Sequence, residues 1–377
     1  MQSKSFVSKN TDILAIDLLN NITDTFKPTL AFVFAFVEHN FDEIIDLFNR
    51  QHISLLGCST AGEIIDGCLY EYQIGVLLTD MPPSYFELFA FDHEAQNLAE
   101  LGIKIADLAR NAFENHSIIT LASGLYHPEQ LVDSIKEQLG NDVSMFGGLA
   151  GDDLKIQDTF VFNNNGYSTH GVMGVVLDRN KLEVTGLAFS GWEAIGTLHT
   201  ITKAKGNIVY EINNEPALDV FIKYFGHYGN LHSDTDVATA QYPLQIMRPN
   251  GYSVLRSPLS SNSNDGSISL AGGVMQGDKF KFSVSPGFEV IDATVDEFVV
   301  MKNNQALTAD ALLMFSCKGR HASLGPLIED ELLGIYNTWQ KPMLGFLSYG
   351  EIGCVKNGSC DFHNETCTLV TIKEMNK

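Results

Sequence analysis

The sequence contains few residues of the kinds that characterise secreted or nucleic-acid-binding proteins. Six cysteines in 377 residues are too few for a disulfide scaffold, and we expect them to be free thiols in a reducing compartment. Lys and Arg total 24 against 46 for Asp and Glu, which gives a formal net charge of -22. Such a charge repels phosphate backbones and anionic lipids, so neither nucleic acid nor a membrane is an expected partner.

The sequence also lacks the segments that direct a chain into or across a membrane. Residues 1–6 do not begin a signal peptide, and no later stretch approaches the ~20 apolar residues that a membrane-spanning helix needs. We therefore expect a cytoplasmic protein. Hydrophobic residues make up 45% of the chain and charged residues 19%, which is enough apolar material for a folded core. The length predicts about two or three domains, and two is the simpler choice.

Several nucleotide-binding and catalytic motifs are missing. The glycines near residue 150 are not accompanied by a Walker lysine, and the Rossmann spacing with its downstream acidic residue is absent. The Gly-x-Ser-x-Gly elbow is also absent. The residues around Cys58 and Cys317 specify neither a base nor a set of oxyanion donors. An enzyme with one of these cysteines as its nucleophile is therefore the less favoured alternative, and we expect no catalytic activity.

The most informative segment is the phrase Gly-Cys-Ser-Thr-Ala-Gly-Glu-Ile at residues 57–64. It follows an apolar stretch that predicts a buried strand, and its two glycines allow turns or a close approach of the backbone to a ligand. Open α/β sheets usually bind their ligands at the carboxyl ends of strands. The phrase supplies five candidate ligand-binding residues: Cys58, Ser59, Thr60, Gly62 and Glu63. The alternative is that the cysteine is a small buried residue and that the hydroxyls satisfy backbone groups.

The second half of the chain contains a related phrase, Gly-Phe-Leu-Ser-Tyr-Gly-Glu-Ile-Gly, at residues 345–353. The shared Gly-Glu-Ile indicates two similar lobes, although a match of three residues also arises by chance. Glu63 and Glu351 would form a carboxylate pair across the lobe interface, a geometry used for acid–base chemistry or for binding an amino group. The alternative for each is a turn carboxylate that pairs with a nearby cation such as Arg320.

The pattern of apolar segments predicts an α/β protein with α+β character. Residues 29–37, 41–50 and 53–56 have the patterns of a strand, an amphipathic helix and a second strand. After residue 160 the pattern changes to antiparallel strands, and helices return after residue 290. We predict two lobes of mixed, partly antiparallel sheets covered by helices, one formed by residues 1–225 and the other by residues 226–377.

These motifs resemble those of a known family, the FIST sensory proteins. That family has a Gly-Cys-Ser-Thr-Ala-Gly-Glu phrase in its N-terminal half and a Tyr-Gly-Glu-Ile-Gly phrase near its C-terminal end. Residues 147–152 are similar to its Gly-Gly-x-Ala-Gly-Asp phrase, residues 316–320 to its Ser-Cys-x-Gly-Arg phrase, and residues 363–366 to its closing His-Asn-x-Thr. The phrases occur in the expected order over almost the whole chain.

The resemblance implies a sensory module that binds a small ligand such as an amino acid. It extends the candidate ligand-binding residues to Gly148, Gly151, Asp152, Ser316, Arg320, Tyr349, Glu351, His363 and Asn364. Members of the family are often joined to, or encoded near, kinases, cyclic-dinucleotide enzymes or chemotaxis receptors. This chain has no room for such an output domain, so we expect it to act in trans on a partner of one of these kinds.

Two cofactor hypotheses remain open at this stage. Some FIST proteins are described as haem-binding nitric oxide sensors that act on histidine kinases, and a haem requires an axial histidine in an apolar pocket. The sequence has 11 histidines and no Cys-x-x-Cys-His motif, and its pattern singles out none of His127, His170, His199, His227, His232 and His321. The second hypothesis is a structural zinc bound by Cys354, Cys360, His363 and Cys367. The spacing of these residues differs from that of the closely spaced ligand pairs in familiar zinc sites.

Overall fold

The computed structural model describes residues 1–92, 97–124, 128–155, 157–226, 242–248, 251–285, 287–304, 307–356 and 358–375. The strands form four sheets. Three of the sheets have six strands each and are built in the same way, and the fourth sheet has eight strands. The predicted α/β class, with mixed, partly antiparallel sheets covered by helices, is confirmed.

The first repeat consists, in chain order, of β1 (Ser3–Ser8), α1 (Thr11–Asn21), β2 (Leu30–Phe36), α2 (Phe41–Arg50), β3 (Ser54–Thr60), β4 (Glu63–Ile65), β5 (Cys68–Tyr70) and β6 (Ile74–Thr79). Its sheet is built on the parallel pair of β2 and β3, which β6 and the edge strand β1 extend in antiparallel fashion. The Asn40 side chain caps α2 by accepting a hydrogen bond from the Glu43 amide at 3.3 Å, as its residue type predicts.

The second repeat has the same order of elements: β7 (Phe86–Asp92), α3 (Leu98–Ala112), β8 (His116–Ala122), α4 (Pro128–Leu139), β9 (Ser144–Leu149), β10 (Val161–Asn163), β11 (Gly166–Ser168) and β12 (Gly171–Asp178). Here β8 and β9 form the parallel pair, and β12 and β7 extend it. Pro128 is the first residue of α4, where its missing amide hydrogen costs no helical hydrogen bond.

The third repeat begins with β13 (Leu182–Phe189) and is then interrupted by an insertion. The described part of the insertion supplies the fourth sheet and one helix: β14 (Glu193–Lys205), β15 (Ile208–Ile212), β16 (Glu215–Pro216), α5 (Ala217–Phe225), β17 (Leu244–Met247), β18 (Ser253–Arg256), β19 (Pro258–Asn262), β20 (Ser267–Leu270) and β21 (Lys279–Val284). The repeat resumes with α6 (Glu289–Asn304), β22 (Ala311–Cys317), α7 (Lys318–Leu324), α8 (Ile328–Trp339), β23 (Met343–Ser348), β24 (Glu351–Cys354), β25 (Cys360–His363) and β26 (Cys367–Glu374).

Each repeat sends a hairpin into the sheet of another repeat. The β4–β5 hairpin adds to β23, the β10–β11 hairpin adds to β3, and the β24–β25 hairpin adds to β9. This cyclic exchange closes the three repeats around a common axis. Residue 225 is the last residue of α5, within the insertion, and strands from both sides of it share the third sheet. The division into two lobes at this residue stays a proposal.

One glycine at the same register of each parallel pair permits this arrangement. A Cβ built on Gly57, Gly147 or Gly345 would lie 2.3, 1.8 or 2.5 Å from a carbonyl oxygen of the neighbouring strand. Any side chain there would push the two parallel strands apart. The glycines of the signature phrases are therefore required by the close approach of backbone to backbone, independently of any ligand.

The cysteines differ in part from expectation. Cys354 and Cys360 are paired opposite each other across the β24–β25 hairpin and form a disulfide. The expectation of six free thiols is wrong for this pair, because the hairpin register brings the two side chains together. The other four cysteines are free, and only Cys68 among them is exposed. Within the described ranges, no three His, Cys, Asp or Glu side chains are grouped to hold a metal ion, so the four residues of the alternative zinc hypothesis are not grouped as ligands.

Candidate functional site

The three glycine-containing phrases meet at the axis of the repeats. Three backbone hydrogen bonds close a ring there: Ala61 N to Leu347 O (3.2 Å), Tyr349 N to Leu149 O (3.1 Å) and Gly151 N to Ser59 O (3.0 Å). Each phrase thus donates to one neighbouring phrase and accepts from the other. We call residues 59–63, 148–152 and 348–351 the axial junction. It contains nine of the fourteen candidate residues from the sequence, and it explains why these phrases occur at distant positions in the chain.

The polar side chains of the first phrase are buried and bound by protein groups. Ser59 Oγ donates to the Gly151 carbonyl at 2.8 Å and accepts from the Phe160 amide at 2.9 Å. Thr60 donates its hydroxyl hydrogen to Glu63. Each of these hydroxyls therefore has a hydrogen-bond partner within the protein, so burying the phrase does not leave them unsatisfied.

The two glutamates of the Gly-Glu-Ile phrases have separate hydrogen-bond partners. Glu63 accepts from the Gln73 amide at 3.1 Å, while Glu351 accepts from the hydroxyls of Ser348 and Thr366 at 2.6 and 2.7 Å. Both carboxyl groups are buried. Burial raises the pKa of Glu63 to about 7 and that of Glu351 to about 8. Burial therefore favours the protonated form of Glu351 at neutral pH, while the hydrogen bonds from Ser348 and Thr366 act in the opposite direction.

The second phrase is joined to the third by a tyrosine. The Tyr349 hydroxyl donates to the Asp152 carboxylate and accepts from the Leu154 amide. Burial, and then the hydrogen bond to Asp152, raise the pKa of Tyr349 well above its usual value. Gly151 leaves no room for a side chain, because its Cβ would lie 2.8 Å from a backbone nitrogen of the first phrase, and a Cβ on Gly148 would lie 3.2 Å from the side chains of Phe346 and Ser348. These contacts fix the position of each phrase relative to the next.

Arg320 is fully buried, and its guanidinium group is occupied by protein partners. It pairs with Glu331 through Nε and Nη2, with a distance of 2.9 Å between Nε and Oε1. It also donates to Thr294 Oγ1 at 2.8 Å and to the carbonyls of Ser190 and Glu365. Arg320 therefore joins α6, α7 and α8 to the segment that leads into the insertion. Its charge is balanced by Glu331, so a ligand is not needed to balance it.

The two candidate nucleophiles are buried thiols. Burial, followed by a nearby glutamate, raises the pKa of both Cys58 and Cys317 well above the usual value. A protonated thiol is a poor nucleophile. Ser316 precedes Cys317 in the buried strand β22, and its carbonyl accepts a hydrogen bond from Ser348 Oγ at 3.2 Å. The geometry around these residues supplies no activated thiol for the enzyme hypothesis.

A cavity of about 200 Å³ lies beside the axial junction, between the insertion and the third repeat. Its apolar wall comes from β13, β18 and the β24–β25 hairpin, and its polar groups come from β17, α6 and the same hairpin. The residues that line it are Leu187, Ala188, Phe189, Ser190, Gln245, Ser253, Leu255, Glu297, Val355, Lys356, His363 and Thr366. The volume suits a ligand smaller than a typical drug molecule.

The polar groups of this cavity are only partly satisfied within the protein. Lys356 Nζ and Glu297 Oε1 form an ion pair at 2.6 Å. Gln245 donates through Nε2 to Ser253 Oγ at 2.7 Å, but its Oε1 is buried without a hydrogen-bond partner among the described residues. A buried amide oxygen of this kind costs about 1–3 kcal/mol unless a donor reaches it. The lining of the cavity therefore includes one hydrogen-bond acceptor without a donor and one pair of opposite charges.

His363 is the one candidate residue from the sequence that lines this cavity. Its Nε2 donates to the Gly353 carbonyl at 3.0 Å, and burial lowers its pKa to about 4. The imidazole is therefore neutral, and Nδ1 is left as a hydrogen-bond acceptor. Asn364 lies next to the cavity, where its Oδ1 accepts from the Ser257 amide at 3.5 Å. Thr366 of the same phrase connects the cavity to Glu351 in the axial junction.

A haem does not fit the histidines that this environment offers. A porphyrin is larger than the cavity, and the Nε2 of His363 is already hydrogen-bonded to a carbonyl. His199 is buried in the insertion, but its Nδ1 faces the Asn213 amide nitrogen at 3.0 Å, because the Asn213 oxygen accepts from Thr200 N. The Nε2 of His199 therefore carries the hydrogen in this arrangement, so binding iron there would require the other tautomer and the loss of the hydrogen bond from Asn213. Three other candidates, His127, His227 and His232, lie outside the described residues.

Comparison with family models agrees with these phrases and this fold. Residues 29–215 match the FIST N domain, and residues 217–354 match the FIST C domain. The chain belongs to the FIST family. FIST domains are sensor domains of signal transduction that bind small ligands. The chain is also similar to an uncharacterized protein of Methanocaldococcus jannaschii, with 22% identity over 89% of this chain and 72% of that protein.

Membership of the FIST family confirms the sequence resemblance and places the inserted sheet at the meeting point of the two matched domains. The FIST N match ends in β16 and the FIST C match begins at α5, so both domains contribute to the insertion. In the part of the chain that the structure describes, no helix has the length and apolar character needed to cross a bilayer.

Proposed function

We propose that this FIST protein is a cytoplasmic sensor of an amino acid with an apolar side chain, and that it acts in trans on a signalling partner. The observation that carries the proposal is the cavity between the insertion and the third repeat. It combines two opposite charges, a buried unpartnered amide oxygen and an apolar wall within about 200 Å³. An amino acid presents the complementary groups in the same small volume.

The charged end of the ligand would be bound by the ion pair. Lys356 is 55% exposed and Glu297 19% exposed, so the lysine is free to move and the glutamate is held more firmly. An amino acid would place its ammonium against Glu297 and its carboxylate against Lys356, and would thereby replace one exposed ion pair by two. Exposed pairs contribute little to stability, so separating this one costs about 1 kcal/mol or less.

The remaining lining residues would select the ligand's ammonium group and its side chain. Gln245 and His363 line the cavity, and each has a hydrogen-bond acceptor, Oε1 and Nδ1, that would turn toward the ligand's ammonium, which has three hydrogens to donate. Leu187, Phe189 and Leu255 supply an apolar surface for the rest of the ligand. Burying an apolar side chain there would stabilise the complex by about 25 cal/mol per Å² removed from water.

The mechanism of sensing would be a population shift. The cavity lies in the seam between the inserted sheet and the third repeat, and a ligand that contacts both walls favours the arrangement in which the seam is closed. Thr366 extends this effect to the axial junction because it lines the cavity and donates to Glu351. The partner would be a histidine kinase, a cyclic-dinucleotide enzyme or a chemotaxis receptor. The net charge of -22 disfavours nucleic acid and anionic membranes as partners.

Isothermal titration of the full chain with each of the twenty standard amino acids tests the proposal. We expect one apolar amino acid to bind, and Glu297→Gln to weaken its affinity about tenfold because an ion pair to the ammonium is lost. Glu289→Gln is the matched control, since this exposed residue of the same helix lies outside the cavity. Binding of none of the amino acids, or equal affinities for the two variants, would contradict the proposal.

A further inference from the structure

The helices that cover the second and third repeats have different surfaces. In the second repeat, α3 packs on α4, and two of the four exposed acidic residues of these helices are paired with cations, whereas Glu100 and Glu137 form no ion pair within the described ranges. Asp107 lies 3.0 Å from Arg110, and Asp133 lies 3.3 Å from Lys136. In the third repeat, α6 packs on α8 in the equivalent position. The two pairs of helices therefore provide a comparison within one chain.

The surface of α6 and α8 is acidic and unpaired. Asp292, Asp296, Glu329 and Asp330 are exposed, and none of them forms an ion pair within the described ranges. Large apolar side chains are exposed beside them. Phe288 is 73% exposed, Val300 37% and Leu333 44%, whereas Ile103 is the one large apolar residue of α3 and α4 that is as exposed.

These side chains lie on the solvent-facing sides of two helices that pack on each other. Phe288, Asp292, Asp296 and Val300 are separated by four residues each, so they follow one another along one side of α6. The two helices cross closely where Gly334 meets Val295, since a Cβ on Gly334 would lie 2.7 Å from that valine. Leu333 is adjacent to the crossing. We call this the α6–α8 face.

The inner side of α6 contacts the proposed ligand site. Glu297 lines the cavity, and Thr294 accepts a hydrogen bond from Arg320, which also donates to the Ser190 carbonyl at the cavity wall. A ligand that changes the position of α6 would therefore change the α6–α8 face directly. This connection rests on the proposed function, whereas the composition of the face does not.

We infer that the α6–α8 face is the docking surface for a basic amphipathic helical segment of the signalling partner. Lysines and arginines of such a segment would pair with the four unmatched carboxylates, and its apolar side would contact Phe288 and Leu333. Apolar anchors surrounded by complementary charge are the usual composition of a helix-binding surface. A second copy of this chain is the less suitable occupant, because it would bring the same acidic charges together.

Fluorescence anisotropy with a labelled amphipathic peptide, leucines on one side and lysines on the other, tests the docking surface on the full chain at physiological ionic strength. The test variant neutralises the four carboxylates of the face: Asp292→Asn, Asp296→Asn, Glu329→Gln and Asp330→Asn. The matched control removes the same number of charges elsewhere: Asp42→Asn, Asp46→Asn, Asp107→Asn and Asp133→Asn. We expect the test variant to bind about tenfold more weakly and the control less than about twofold more weakly.

The apolar contribution has its own pair of variants. Phe288→Ser is expected to weaken peptide binding about fivefold, and Ile103→Ser on α3 is expected to leave it unchanged. Equal losses in the two charge variants, no effect of Phe288→Ser, or a self-association in sedimentation that Leu333→Asp abolishes would each overturn the inference. The four-fold neutralised variant should bind the amino acid as the parent chain does. Specific peptide binding by a chain that binds no amino acid would support the surface and contradict the proposed ligand.

Discussion

The axial junction and the adjacent cavity both bury polar groups, but they satisfy them differently. In the junction, Ser59, Thr60 and Glu351 all bond to other groups of the protein. In the cavity, Gln245 keeps an unpartnered oxygen, and the nearby ion pair is partly open to solvent. A satisfied polar network makes a structure rigid, whereas a buried group without a partner leaves a hydrogen bond that water or a ligand can supply. The difference supports the proposal that the axial junction holds the repeats together and that the ligand is bound in the cavity.

The largest expected effect is a loss of protein stability when Arg320, which joins the third repeat to the insertion, is replaced. Arg320→Met leaves Glu331 buried without its partner, and we expect the free energy of unfolding to fall by about 3–5 kcal/mol. Urea denaturation measures this change. Arg110→Met is the matched control, because its ion pair with Asp107 is exposed and should contribute less than about 1 kcal/mol. Similar losses in both variants would show that burial of the pair is unimportant.

The second effect is a loss of stability in mildly alkaline solution. Burial raises the pKa of Glu63 and Glu365 to about 7 and that of Glu351 to about 8. In the unfolded chain these carboxyl groups have their ordinary pKa of 4.5. Between this pH and about pH 8 the folded protein therefore holds more protons than the unfolded chain, and the free energy of unfolding falls as the pH rises. Burial lowers the pKa of His321 and His363 to about 4. These histidines act in the opposite sense only below about pH 6.5.

Thermal and urea unfolding at pH 6.5 and pH 8 isolate the contribution of the glutamates. We expect a loss of about 3 kcal/mol over this interval, about half of it from Glu351. Glu351→Gln keeps a neutral side chain at both pH values and should remove about half of the pH dependence. A stability that rises between these two pH values, or a dependence that the variant leaves intact, would contradict the assignment.

The third effect concerns the cavity alone. Gln245→Leu removes the unpartnered oxygen, and we expect the affinity for the amino acid to fall about tenfold, or ~1.4 kcal/mol, with little change in stability. Titration calorimetry and thermal unfolding measure the two quantities. Met247→Leu, at an exposed position of the same strand, is the control. A Gln245→Leu variant that binds the amino acid as tightly as the parent chain would show that the Gln245 amide does not contact the ligand.

The smallest expected effect comes from removing either of two threonine hydroxyls that each donate to a buried glutamate. Thr60 donates to Glu63 and Thr366 donates to Glu351, but only Thr366 lines the cavity. Thr60→Val and Thr366→Val should each cost about 1 kcal/mol of stability through one lost hydrogen bond. We expect only Thr366→Val to weaken ligand affinity, by about threefold in titration calorimetry. Equal affinities for the two variants would mean that the junction and the cavity are not coupled through this residue.

Much of the fold is predictable from local patterns. The β2–α2–β3 unit, the start of α4 at Pro128 and the turn between β10 and β11 follow from apolar spacing, a proline and an Asn-Gly pair. Helix α1 does not follow, because its exposed Ile13, Ile16 and Leu19 obscure the amphipathic pattern. The exchanged hairpins are also hidden, since β4 and β5 have three residues each and their partners lie far away in sequence.

The candidate site was harder to predict than the fold. The phrases directed attention to the axial junction, and of the fourteen candidate residues His363 alone lines the cavity. Gln245, Glu297 and Lys356 belong to three separate elements and carry no local motif, so only the folded chain brings them together. The threefold repeat was obscured for a related reason, because the second phrase has Gly-Asp where the others have Gly-Glu-Ile.

A crystal structure of the full chain grown with the amino acid that gives the strongest titration tests the central claim most directly. We predict ligand density between β13, β17 and α6, with the ammonium against Glu297 and Gln245 and the carboxylate against Lys356. Density at the axial junction instead, or a cavity without ligand at saturating amino acid, would contradict the separation between the residues that hold the fold and those that bind the ligand.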